Sequence, residues 1–135
     1  MRTLTDHVVE GNSSKELTIE VNDEPGAGGA CHLYTIGGFD SRGNPSDPWT
    51  ARHGSPSTYS TVLFQNGPIA EAGVNGVTQE ALLAIVIDRL RSFQAGPYSC
   101  RENAIALTHC EDALMWLQRR TRARIARGVE GTHAK

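Results

Sequence analysis

No apolar run in this sequence is long enough to cross a membrane. The longest, ALLAIVI at residues 81–87, is far shorter than the roughly 20 residues that a bilayer-spanning helix needs. The amino-terminal stretch MRTLTDHVVEGNSS holds no apolar segment of signal-peptide length, so we expect no export signal. The sequence therefore predicts a protein without a membrane partner.

Cysteines are few, and motifs of catalysis are missing. The three cysteines, Cys31, Cys100 and Cys110, are odd in number and lack metal-ligand spacing, which favours a reducing cytoplasm. His109 and Glu111 flank Cys110, but adjacent residues on a helix point apart and cannot form a nucleophile–base pair or a metal site. The sequence also lacks Walker A, GxSxG and HExxH patterns. We therefore predict no enzyme, no metal and no cofactor.

Charge is unevenly distributed along a chain of ordinary composition. Hydrophobic residues make up 39% and charged residues 21%, which is typical of a soluble globular protein, and we predict a single domain over residues 1–135. Residues 1–50 hold eight acidic and three basic residues, whereas residues 51–135 hold seven acidic and ten basic ones. This pattern indicates an anion-binding surface in the carboxyl-terminal part rather than a protein that binds nucleic-acid polymers by bulk charge.

The amino-terminal half has the pattern of β-strands and loops. Apolar and polar residues alternate in ELTIEVN and CHLYTIGGF, and TYSTVLFQ is rich in β-formers. Residues 40–57 are rich in Gly, Pro, Ser and Asp and predict a long loop. We therefore expect a small antiparallel sheet of about three to four strands within about residues 1–68.

The carboxyl-terminal half predicts two helices between about residues 78 and 127. Thr78 can cap the first helix, QEALLAIVIDRLRSFQ, and Gly96-Pro97 can end it. Ser99–Glu102 has the spacing of a capping box for a second helix from about Cys100 to Arg127. Because the connection is only about four residues, the helices must form an antiparallel hairpin. The fold class is therefore α+β: a small amino-terminal antiparallel sheet followed by a two-helix hairpin.

The two predicted helices differ in length, and the first is apolar on nearly all sides. The far half of the second helix extends beyond its partner while still carrying apolar residues. A helix that is apolar all round needs cover on more than one side. We therefore expect an obligate oligomer.

Arginines at the end of the second helix are candidates for anion binding. Arg120, Arg124 and Arg127 fall at i, i+4 and i+7 on one helical face. One interpretation is a solvated helix end, where cations are favoured by the helix dipole. The other is a phosphate clamp, because guanidinium groups bind phosphate oxygens in a bidentate manner.

Phe93 and Asn103 stand on either side of the predicted hairpin turn. Phe93 is either a core residue or a platform on which a base stacks. Asn103 is either an exposed polar residue or a bidentate contact to an adenine edge. The residues alone leave both alternatives open.

Three motifs in the carboxyl-terminal half, FQAGPYSCREN, EDALMWL and RGVEGTH, are specific. With them, the run Phe64–His133 resembles the Thoeris anti-defence protein 1 family of phages. CHLYTIGGFD and STVLFQNGP resemble that family's amino-terminal sheet segments. The helical hairpin is also similar to that of anti-CBASS protein 2, a related sponge for cyclic oligonucleotides.

The resemblance implies a sponge in the cytoplasm of the bacterial host. Members of the family bind and sequester glycocyclic ADP-ribose, the signal made by Thoeris TIR proteins, without cleaving it, so the Thoeris effector is not activated. They form dimers that can assemble into hexamers, with pockets shared between protomers. Some hexameric members also hold cyclic di- or trinucleotides of CBASS signalling at separate sites.

The family's ligand contacts carry over onto matching positions of this chain. The resemblance implies that Phe93, Asn103, Arg120 and Arg124 bind the ligand, and Arg101 is the candidate for a second, cyclic-nucleotide site. Two other classes of function remain as alternatives to the sponge. One is a nucleotide-processing hydrolase, and the other is a helical nucleic-acid-binding module that uses the arginine face.

Overall fold

The structure, a computed structural model, describes residues 1–12 and 15–135 in full. The chain divides into two compact units, residues 1–66 and 67–135, and this division falls close to the predicted border between sheet and helices. The first unit contains strands β1 (Arg2–Leu4), β2 (Thr18–Val21), β3 (Leu33–Gly37) and β4 (Tyr59–Leu63) and the short helix α1 (Trp49–His53). The second contains helices α2 (Ile69–Ala72), α3 (Gln79–Gln94) and α4 (Arg101–Ala126). The α+β class is confirmed, whereas the single domain stays a prediction.

The first unit is built on a four-stranded antiparallel sheet in the order β1-β2-β3-β4. Each strand pairs with its neighbour in sequence, with Thr3 opposite Glu20, Ile19 opposite Ile36, and Tyr34 opposite Val62. The alternation in the sequence predicted β2 and β3, and the β-forming residues of TYSTVLFQ predicted β4. The sheet also includes β1, a three-residue strand at the edge.

Asp23 fixes the connection between β2 and β3. Its carboxylate accepts hydrogen bonds from the backbone amides of His32 (2.9 Å) and Leu33 (3.0 Å). The bond from Leu33, together with that from His32, outweighs desolvation and holds the pKa of Asp23 below its ordinary value. Val21 and His32 are buried beside this connection, and they form the small core of the unit.

Gly38 lies where the end of β3 passes very close to another part of the backbone. Its φ is 83°, and a Cβ atom at this position would lie 1.8 Å from the carbonyl oxygen of Glu16. Only glycine combines this left-handed backbone with such a close approach. Gly38 therefore permits the chain to turn from β3 into the segment that precedes β4.

The predicted start of α3 is confirmed. The Thr78 hydroxyl accepts a hydrogen bond from the Ala81 amide at 3.1 Å, and Glu80 stands in the first turn, where the helix dipole favours an acid. Helix α3 packs against α4 as the predicted antiparallel hairpin. An ion pair between Arg91 and Glu111, 2.8 Å apart, joins the two helices on their solvent side.

The predicted capping box at the start of α4 is wrong by one residue. Cys100, not Ser99, is the N-cap, and its Sγ accepts a hydrogen bond from the Asn103 amide at 3.4 Å. The amide of Cys100 in turn donates to the side-chain oxygen of Gln94 at 3.1 Å. The end of α3 thus selects Cys100 as the cap, a tertiary contact that local spacing does not show.

The segment 40–57 also differs from the predicted loop, because it contains helix α1. Asp47 accepts hydrogen bonds from the Trp49 amide and the Thr50 hydroxyl, at 2.7 and 2.8 Å, and these contacts start the helix. Gly54, with φ of 75°, ends it.

The helical hairpin leaves many apolar side chains exposed. In α3 only Ile87 is buried, whereas Ile85 is 59% exposed. In α4, Trp116 and Ile125 are 58% and 60% exposed. No described helix is long and apolar enough to span a membrane. Exposed apolar residues on both helices are typical of a surface that another protein covers.

Replacement of Gly38 by alanine should destabilise the first unit by more than about 2 kcal/mol, because it combines a left-handed backbone with a steric clash. Gly43→Ala is the matched control, because a Cβ atom at residue 43 would meet no atom within 4 Å and the φ of Gly43 is not left-handed. Urea denaturation measures both variants. Equal stabilities of the two variants would contradict the close approach at Gly38.

Candidate ligand-binding site

Arg120 and Arg124 stand in the last two turns of α4, but their surroundings differ. Arg120 is exposed, and within the part of the chain that the structure describes its side chain makes no hydrogen bond or ion pair. Its guanidinium group is therefore available to an anion. Arg124 is 8% exposed, and its donors are directed at the chain's own carboxyl-terminal residues.

Four hydrogen bonds hold the guanidinium group of Arg124. Nε donates to the Glu130 carboxylate at 3.0 Å, and Nη2 donates to the carbonyl oxygens of Val129 and Thr132, both at 3.0 Å. Nη1 donates to the carbonyl oxygen of Ala134. Four of the five N–H donors of this side chain are thus used within the chain. Arg124 anchors the segment 129–134, which we call the C-terminal loop.

The C-terminal loop has further attachments within the second unit. The Gly131 carbonyl accepts from the Ala70 amide at 3.1 Å, and His133 Nδ1 lies 3.3 Å from the Glu71 carboxylate. Gly128, with φ of 71°, follows α4 where the chain reverses. The last turn of α4 is therefore covered in part by the loop that follows it.

Phe93 and Asn103 lie on the two sides of the connection between α3 and α4. Phe93 is 39% exposed, and the guanidinium carbon of Arg89 stands 5.6 Å from the centre of its ring. Asn103 is half-buried in the first turn of α4, and its backbone amide belongs to the Cys100 cap. Arg101, the candidate for a second site, is exposed at the start of the same turn.

The predicted site residues occupy opposite ends of α4. Asn103 and Arg120 are 17 residues apart on one helix, which corresponds to about 25 Å, and Asn103 and Arg124 are about 31 Å apart. A dinucleotide-sized ligand cannot contact both ends of one chain at this separation. The structure therefore groups Phe93 with Asn103 at the turn and Arg120 with Arg124 at the far end.

Trp116 and Arg119 form a contact at the arginine end that the sequence interpretation missed. The guanidinium carbon of Arg119 lies 5.1 Å from the centre of the indole, a distance typical of a cation–π interaction. The i, i+3 spacing of tryptophan and arginine on a helix is the signal that could have indicated it. The arginine end of α4 thus presents an aromatic ring beside its cations.

The helical pair is similar to a known family of protein domains. Residues 59–122 match the family model of the Acb2/Tad1 hairpin domain. The matched range begins at β4 and includes α3 and most of α4, so it contains Phe93, Asn103 and Arg120 and ends before Arg124. The hairpin of this chain is therefore similar to the Acb2/Tad1 hairpin domain.

A curated protein from a phage is also similar to part of this chain. The chain is 58% identical over 76 residues to "Thoeris anti-defense 1" of Bacillus phage SBSphiJ7. The matched region is 56% of this chain and 54% of that protein, so the chain spans about half the length of the curated relative that it matches. The resemblance to the Thoeris anti-defence 1 family is confirmed.

Replacement of Arg124 by alanine should release the C-terminal loop, because it removes four hydrogen bonds and leaves the Glu130 carboxylate without its cation. Hydrogen bonds of charged groups contribute about 1.5–3 kcal/mol each. Hydrogen exchange should therefore show loss of protection at the Val129 and Thr132 amides, with a lower Tm of the helical unit.

Arg120→Ala is the matched control for this experiment, since it removes an exposed arginine one turn away. We expect its exchange pattern and Tm to stay near those of the unaltered protein. Unchanged protection of the loop in Arg124→Ala would contradict its role as the loop's anchor.

Proposed function

We propose that this protein is a phage anti-defence protein that acts in the cytoplasm of the infected bacterium. It binds and sequesters glycocyclic ADP-ribose without cleaving it, and the Thoeris effector therefore stays inactive. The relative from Bacillus phage SBSphiJ7 carries the name Thoeris anti-defense 1, which supports the biological setting. The observation that carries the mechanism is the separation of the four candidate residues into two groups at opposite ends of α4.

This separation favours a pocket that two chains build together. If two α4 helices pair in antiparallel orientation about a twofold axis, the Asn103 end of one chain lies beside the Arg120 end of its partner. The same symmetry creates the pocket twice. Exposed apolar residues on the hairpin supply a surface for this pairing: Ile85, Val86, Met115, Trp116 and Ile125.

The chemistry of the two groups suits the two parts of an ADP-ribose ligand. The partly exposed ring of Phe93 offers a face for adenine, and the amide of Asn103 matches the hydrogen-bonding edge of that base. The guanidinium group of Arg120 offers parallel donors to the pyrophosphate. To bind a phosphate, Arg124 must use its one remaining N–H donor or break hydrogen bonds to the C-terminal loop. Arg120 is therefore the stronger candidate for the direct contact.

Cyclic di- or trinucleotides of CBASS signalling are a second ligand class in this proposal. Arg101 is the residue assigned to them, because it is exposed at the amino-terminal end of α4, where the helix dipole also favours phosphate. Titration with a cyclic trinucleotide in the presence of saturating glycocyclic ADP-ribose separates the two sites. Competition between the two ligands would contradict separate sites.

Sequestration and hydrolysis make different predictions about the fate of the ligand. After incubation with the protein and heat denaturation, sequestration returns glycocyclic ADP-ribose intact, because no bond is broken. Chromatography with mass detection measures the recovered compound. Recovery of ADP-ribose or another product would favour the hydrolase alternative.

Arg120→Ala should weaken binding of glycocyclic ADP-ribose about 10- to 100-fold, since it removes charge-assisted hydrogen bonds to the pyrophosphate. Isothermal titration calorimetry measures the affinity. Arg122→Ala is the control, because this arginine is also exposed on α4 but has no assigned ligand contact. Equal affinities of the two variants would remove Arg120 from the site.

A pocket shared by two chains also predicts complementation between inactive variants. Neither Asn103→Ala nor Arg120→Ala should bind ligand well alone. In a purified heterodimer of the two, one pocket combines the intact Asn103 of one chain with the intact Arg120 of the other. Calorimetry should then find about one tight site per heterodimer, whereas a pocket within a single chain gives none.

A further inference from the structure

A separate cleft lies in the first unit, between β4 and the segment that leads to it. It encloses about 710 Å³, a volume within the range of roughly 300–1,000 Å³ that small-molecule sites occupy. Its walls come from Phe39, from helix α1 with the residues around it, and from residues 55–61. None of the candidate residues of the helical hairpin contributes to this cleft.

Hydrogen bonds hold the walls of the cleft in place. The Ser41 amide donates to the Ser57 carbonyl at 2.9 Å, and the Ser57 amide donates to the Ser41 hydroxyl at 2.8 Å. Ser41 is buried, and the Asp47 cap fixes α1 beside it. A segment as rich in Gly, Pro and Ser as residues 40–57 needs such contacts to stay ordered. The cleft is therefore pre-organised before any ligand enters.

Aromatic rings give the cleft flat apolar surfaces. Trp49 and His53 stack on one another, with ring centres 5.2 Å apart and an interplanar angle of 23°. Trp49 is 45% exposed, and Tyr59 on β4 is 62% exposed. An exposed indole with one face already supported by an imidazole presents its other face to a ligand, and such rings provide large contact area at low entropic cost.

Charge in the cleft disfavours phosphate-bearing ligands. The described residues that line the cleft include no lysine and no arginine. The one carboxylate among them is that of Asp47. Desolvation raises the pKa of Asp47, but hydrogen bonds from Thr50, Trp49 and Ser41 outweigh it, so the pKa lies below its ordinary value. Asp47 is therefore negative at neutral pH and repels an anion.

Five serines and two threonines complete the lining. Each hydroxyl both donates and accepts, so a wall of hydroxyls suits a ligand that itself carries several hydroxyls. We propose that this cleft binds a neutral, hydroxyl-bearing ring, either a free saccharide or the ribose of a nucleoside. The ring's apolar face lies on Trp49, and its hydroxyls exchange hydrogen bonds with the exposed serine and threonine side chains of the lining, since the hydroxyls of Ser41 and Ser57 already bond within the chain.

Saturation-transfer difference NMR on the full chain tests this assignment with four probes: methyl glucoside, methyl riboside, adenosine and adenine. Neutral sugars at about 10 mM should show transfer to ring protons, because weak sites of this size bind in the millimolar range. Binding of methyl glucoside identifies a saccharide site. Binding of methyl riboside and adenosine but not methyl glucoside identifies a site for the ribose of nucleosides.

Variants connect the signal to the cleft. Trp49→Ala should weaken binding of the sugar probes at least tenfold, whereas Trp49→Phe, which keeps an aromatic ring, should weaken it less. Trp116→Phe alters the other tryptophan of the chain and should have no effect. Backbone amide shifts of β2 and β3 report whether each variant keeps the fold of the first unit.

Two results would overturn the inference: no transfer to any hydroxyl-bearing probe, or equal binding of the sugar probes by Trp49→Ala and Trp116→Phe. The site is independent of the arginine chemistry. Binding of glycocyclic ADP-ribose by Trp49→Ala should therefore be unchanged, and its loss would contradict that independence.

Discussion

The difference in length between α3 and α4 is the constraint on which the candidate site depends. Helix α3 has 16 residues and α4 has 26, and an antiparallel hairpin aligns them at the turn, so about ten residues of α4 extend past the start of α3. This extension places Arg120 and Arg124 about 25–31 Å from Asn103. It also leaves Ile125 beyond the reach of α3. The division of the candidate site and part of the exposed apolar surface follow from this one mismatch.

The chain covers part of the extension with its own C-terminal loop, and this makes two arginines of the same helical face unequal. Arg124 gives four donors to three carbonyl groups and one carboxylate, so a phosphate must compete with neutral acceptors and with the negative charge of Glu130. Arg120 faces no such competition among the described residues. A spacing of four residues places both on one face, but the acceptors that surround each side chain decide which one is ready to bind.

Patterns within a few residues predicted most of the secondary structure. Alternation located β2 and β3, a run of β-formers located β4, and Thr78 marked the start of α3. Failures occurred where a distant contact decides the outcome. Cys100 becomes the cap because its amide meets Gln94 of the other helix, and Asp47 organises α1 inside a segment whose composition predicts a loop. The candidate residues of the site could be selected from residue types alone. The burial of Arg124 could not be predicted in this way, because it depends on the C-terminal loop folding back over α4.

The proposed composite pocket would connect affinity for the ligand to assembly of the protein. In the proposed arrangement neither chain alone brings its base-binding and phosphate-binding groups into one pocket, so tight binding occurs only in the oligomer. A ligand that binds only the assembled form also stabilises that form, by an amount that grows with the logarithm of its free concentration. Rising signal would therefore strengthen the association that sequesters it. A two-helix element of this size can build two pockets by such sharing, because each chain supplies contacts from both ends of α4.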